Sequence, residues 1–125
     1  MKQSAEQPMS LEQDAIDSVV HVGGVALLER LVEVAEGNVR DRLQQLEQAL
    51  ASEPPDLAAI ERAAHSMKSS AAYLGIGPLR QHAAEMETDA HEGHIDGFSE
   101  RAEEAERLLE QALPLLREEI DRRKR

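Results

Sequence analysis

Between Ala63 and Gly75 the chain reads AAHSMKSSAAYLG. His65 is followed three residues later by Lys68, and otherwise by small residues and Met67 until Tyr73. On a helix, residues three and four apart are surface neighbours. That places Lys68 and Ser69 beside the imidazole, with Ala72 one turn further and Glu61 one turn back. Small neighbours leave the ring open to an approaching surface. A neutral imidazole nitrogen is a nucleophile near neutral pH. The nearby ammonium opposes a second positive charge on the ring and steadies a phosphoryl group carried there. An isolated histidine on a helix flank is also a common surface residue, so spacing alone leaves both readings open.

Five stretches with helical periodicity must position this pair. Ser10-Leu11-Glu12-Gln13 reads as a capping box opening a short helix that ends before Gly23-Gly24. A second helix starts near Val25, with Leu28, Val32, Ala35, Val39, Leu43, Leu46 and Leu50 as its stripe, and stops near Ser52. Pro54-Pro55 suit the first turn of a third helix, whose stripe is Leu57, Ile60, Ala64, Met67, Ala71 and Leu74. Ala64 belongs to that stripe, so His65, about 100° further round, lies on its flank. Gly75 and Gly77 end this helix, and Pro78 opens a fourth carrying Leu79, Ala83, Met86 and Ala90. A fifth, capped by Asp96 or Ser99, carries Phe98, Ala102, Ala105, Leu109, Ala112, Leu116 and Ile120. Pro114 interrupts it without changing the phase of the stripe, which predicts a kink. Short loops imply antiparallel neighbours. The expectation is an all-α, up-down four-helix bundle with a short additional N-terminal helix at one end. Residues 1–9 are expected to be flexible and residues 10–122 to form one domain.

The composition agrees. Ala, Leu, Glu, Gln and Arg are strong helix formers, and aromatic residues are only 2% of the chain. With 25 acidic against 14 basic residues the formal net charge is −11, which disfavours nucleic-acid binding. The terminal cluster DRRKR reads as cations at a helix C-terminus, where the macrodipole favours them. There is no cysteine, hence no disulfide and no thiolate metal site. No apolar run approaches the roughly 18 residues of a membrane span, and the first ten residues lack the apolar core of a signal peptide. A soluble cytoplasmic protein, working as a monomer, is expected.

The run His65-Ser66-Met67-Lys68-Ser69-Ser70-Ala71, then Tyr73-Leu74-Gly75, resembles the signature of the histidine-containing phosphotransfer (HPt) domain family. The resemblance continues into Leu79, Ala83, Met86, Glu87 and Gly93 and spans about residues 11 to 120. It implies a relay protein without ATP binding or autokinase activity. His65 would take a phosphoryl group from the aspartyl phosphate of a response-regulator receiver domain, or exchange it with a hybrid sensor histidine kinase, and pass it on. Lys68 would neutralise the phosphoryl oxygens, and Glu87, facing from the next helix, would orient the ring. The chain itself would bind no cofactor; the magnesium would come from the receiver. Ser69 stands where the family most often has Gly; its hydroxyl can bond the phosphoryl oxygens. His82 stands where a small residue or Cys is common, and Val34-Ala35 replace an aromatic. The partner-facing surface implied is Ser69, Ala72 and Tyr73, with Ile16 and Val20 from the first helix.

Three other readings compete. His82, Glu85, His91 and His94 include helical spacings used by bundle metal sites, but the reciprocal motif from another helix is missing. A kinase dimerisation helix pair would carry an acidic residue after the histidine and a proline soon after; here Ser66 follows, and no proline comes before Pro78. The last is a helical adaptor or inhibitor that binds receiver or kinase domains without being phosphorylated.

Overall fold

A computed structural model describes residues 9–125. It contains α1 (Gln13–Ala51), α2 (Leu57–Tyr73), α3 (Gly77–His91) and α4 (Phe98–Lys124), and no strand among the described residues. Each helix packs on its neighbours in chain order, and α4 returns to α1. Cross-helix pairs give the directions. Arg42 and Asn38 of α1 meet Ser66 and Ser70 of α2, Glu61 and His65 meet His91 and Glu87 of α3, and Glu36 and Glu29 of α1 meet Arg117 and Lys124 of α4. All of these run antiparallel. The bundle is therefore up-down, as the short loops require.

The expected first and second helices are one element broken at Gly24, where φ is 77° and ψ −174°. That left-handed φ suits glycine, and it lets the segment 13–23 swing away from the axis of 25–51. The short segment buries Ile16 and Val19 against one end of the bundle. The Glu12 backbone N–H donates to the Gly75 carbonyl at 2.8 Å, and a Cβ on Gly75 would meet the Glu12 carbonyl oxygen at 2.6 Å. With φ at +70°, Gly75 is required both by the turn and by this close approach. On the other side, Gln13 donates to Glu119, and Arg123 reaches Asp17 at 2.7 Å.

Several boundaries differ from the sequence expectations. Ser10 is not the N-cap, because the Glu12 N–H it would accept from goes to the Gly75 carbonyl; Glu12 is the N-cap, and its carboxylate pairs with Arg80 at 2.7 Å instead of capping the helix. Pro54-Pro55 precede α2 rather than open it; Asp56 is the N-cap and accepts from the Ala59 N–H at 3.1 Å. Leu57, expected in the stripe, is the first residue of α2 and is exposed. Gly77 begins α3, with Pro78 in its first turn as expected. Gly97, left-handed, precedes α4 in place of an Asp96 or Ser99 side-chain cap. α4 carries on unbroken through Pro114. Residues 1–8 of the expected flexible segment lie outside the described residues, whereas Met9 packs half-buried against the core.

The core follows the stripes. Leu28, Leu46, Ile60, Met67, Leu79, Met86, Phe98, Leu109 and Leu116 are almost wholly buried, each contributing on the order of 1.5–3 kcal/mol. This rigid packing presents the α2–α3 flank to solvent.

Candidate functional site

His65 sits midway along α2, one residue past buried Ala64 and two before buried Met67. Its side chain keeps 60% of its surface exposed. The ring is held from α3. His65 Nδ1 lies 2.8 Å from Glu87 Oε2, and Lys68 Nζ lies 2.6 Å from Glu87 Oε1. One carboxylate therefore bridges both basic groups. Burial pushes the Glu87 carboxyl up, but the hydrogen bonds and charges of Lys68 and His65 outweigh it, so it ends below the ordinary carboxylate value. An ionised carboxylate only accepts, so Nδ1 carries the proton. In the neutral ring the lone pair is then on Nε2, which has no partner among the described residues.

The sequence placed Lys68 beside the ring as a lone cation. In the structure its charge is shared with Glu87 on the next helix, and its side chain stays 35% exposed. Ser69 is exposed on the same face, and Ala72 and Tyr73 are both exposed about one turn further on. Ile16 is a correction: it is fully buried, because the break at Gly24 folds its face onto the bundle end, so it cannot face a partner. Val20 is half-buried against the core. Val34 is the exposed apolar residue of α1 on this side. It lies one turn before Asn38, level with Tyr73, which lies one turn after Ser70.

A polar seam under the histidine was missed by sequence reading. Asn38 Nδ2 donates to Ser66 Oγ at 3.1 Å and to Ser70 Oγ at 2.9 Å; Arg42 Nε donates to Ser66 Oγ at 3.1 Å. Ser70 is buried, so the seam satisfies a hydroxyl that would otherwise be costly to desolvate. It fixes the rotation of α2 against α1, and hence where His65 points. The available signal was Ser66 and Ser70 at i, i+4, with Asn38, a weak helix former, inside a long helix.

The residues of the competing metal reading have other partners. His82 Nε2 donates to the Arg101 carbonyl at 2.8 Å, His91 faces Glu61 at 3.2 Å, and Glu85 accepts from Gln81. A different trio, Asp89, Glu92 and His94, lies close enough to share an ion, but Arg101 already holds Asp89 at 2.6 Å.

No helix of the described residues is long and apolar enough to cross a membrane. No curated relative matches the chain. In fold it is similar to the crystal structure of histidine-containing phosphotransfer protein B from Pseudomonas aeruginosa PAO1, with a TM-score of 0.77 and 24% identity over 90% of this chain and 95% of that one. The family model described as Hpt domain matches residues 30–124, a span that takes in α2, α3 and the whole His65–Lys68–Glu87 constellation. The chain belongs to the Hpt domain family, the phosphotransfer domains of two-component systems.

Proposed function

We propose that this protein is a relay intermediate: His65 accepts a phosphoryl group from the aspartyl phosphate of a receiver domain and yields it to the aspartate of another. The observation that carries this reading is the exposed ring whose Nδ1–H is held by Glu87 while Nε2 stays unpartnered. In the forward step the Nε2 lone pair attacks phosphorus, the bond from phosphorus to the aspartyl oxygen breaks, and the carboxylate leaves. The receiver contributes the magnesium and most of the charge stabilisation. The ring becomes cationic as the Nε2–phosphorus bond forms, and the Glu87 carboxylate at Nδ1–H offsets that charge. Lys68, reaching from the same carboxylate, swings toward the phosphoryl oxygens. Ser69 offers a hydroxyl to the same oxygens. Ala72, Tyr73 and Val34 form a modest apolar patch beside the ring, suited to an interface that must release.

Incubation with phosphorylated receiver domains tests the reading. Label should pass to the wild-type chain and not to His65→Gln. No label on the wild type from a panel of receivers would favour the unphosphorylated adaptor.

A further inference from the structure

A cleft of about 580 Å³ opens beside His65 and extends along the N-terminal half of α2. Ala58 and Ala59 of α2 and Arg42 and Gln45 of α1 line it, and Arg62 stands one turn before His65. The protein is strongly acidic, and its cations are mostly spent in ion pairs. Among the described lysines and arginines, only Arg30, Arg42, Arg62 and Arg125 lack a carboxylate partner. Two of these four border the same cleft. Arg42 is also held in place, by Ser66 Oγ at 3.1 Å and by Gln45 Oε1 at 2.8 Å, both neutral acceptors. Its Nη2 has no partner among the described residues. The acids at the rim are already engaged: Glu61 with His91, and Glu87 with His65 and Lys68.

Resting on the relay reading above, we propose that Arg42 and Arg62 form a carboxylate-recognition site, which receives an acidic side chain of the docking phosphoryl donor or acceptor protein. The cleft reaches two helical turns beyond His65, roughly 10 Å, which is further than a phosphoryl group on Nε2 extends. The small side chains of Ala58 and Ala59 in its lining leave room for a side chain from a partner. Two unneutralised guanidinium groups match a carboxylate in charge and shape. They also supply local attraction where the net charge of −11 would repel an acidic partner. His65 then stands between two unlike contacts, an apolar one at Tyr73 and Val34 and a cationic one at Arg42 and Arg62, and the pair sets the orientation of docking.

The test compares wild type, Arg62→Gln and the Arg42→Gln/Arg62→Gln double variant. Arg62→Gln removes no described contact, so it tests the site even if loss of Arg42 loosens the seam. Transfer from a phosphorylated receiver should lose about ten-fold in kcat/KM, carried by KM, at low salt, and the loss should shrink at high salt. In Arg62→Gln, direct labelling of His65 by phosphoramidate, which needs no partner protein, and the lifetime of the phosphohistidine should be unchanged. Unchanged kcat/KM, or a loss that ignores salt, overturns the proposal. A matching loss in phosphoramidate labelling or phosphohistidine lifetime in Arg62→Gln also overturns it, because that arginine would then serve the phosphoryl group itself. Wild-type protein that takes label from phosphoramidate but from no receiver overturns the relay reading, and this site with it.

Discussion

At the scale of single residues, Glu87 decides how His65 behaves. It serves two cations with one carboxylate, so its two roles are separable by substitution. Glu87→Ala frees Nδ1, and the ring should populate both neutral tautomers, visible in its nitrogen NMR shifts; transfer should slow about ten-fold, the order seen when an orienting partner is removed. Glu87→Gln keeps an acceptor for Nδ1–H but releases the Lys68 charge, so tautomer preference should survive it. If Gln shifts the tautomer as much as Ala does, orientation comes from the charge and not from the hydrogen bond. The histidine, the lysine and the facing glutamate were all legible in the sequence, because a helix fixes what lies at i+3 and the family signature supplied Glu87. The shared carboxylate was not, since it depends on the spacing between α2 and α3. The contacts of Arg42 and Asn38 depend on how far one helix is rotated against another, so the Ser66 and Ser70 spacing hinted at a polar seam without naming its partners on α1.

At the scale of elements, the stripes located every helix, and their errors fall at the ends. Ends are set by which backbone groups find partners, and here some partners are distant in sequence. Ser10 looked like a cap because its local pattern was right, but the Glu12 N–H is satisfied by Gly75 across the bundle end. Ile16 looked available because a short amphipathic segment does not reveal what covers its face. Gly75 belongs to this same junction. Gly75→Ala adds a Cβ both to a left-handed residue and against the Glu12 carbonyl oxygen. It should cost about 1–3 kcal/mol, read by urea denaturation, and should raise amide exchange in segment 13–23. A substitution that leaves both unchanged would mean the segment is not anchored there.

At the scale of the whole molecule, the basic C-terminal run proves to be a fastening. Arg122 and Arg123 bind Glu119, Arg123 also binds Asp17, and Lys124 binds Glu29. Burial raises the Glu119 carboxyl, but Gln13, Arg123 and Arg122 outweigh it and hold it below the ordinary value of 4.5. The unfolded chain therefore takes up this proton first as pH falls. The stabilisation is complete above about pH 4.5 and is lost as pH drops through the lower folded-state value. Glu119→Gln should remove about 1.5–3 kcal/mol at pH 7, lower the melting temperature by several degrees, and flatten the acid limb of stability against pH. A variant as acid-sensitive as wild type would sink this assignment.

The Asp17–Arg123 pair has a mechanical consequence too. It brings the strand of chain entering the bundle and the strand leaving it to one pole, beside the Gly75 turn, while His65 lies about ten residues back along α2, roughly 15 Å away. A pull on either end of the described chain therefore loads that pole, and the flank that carries the imidazole lies outside the line of force.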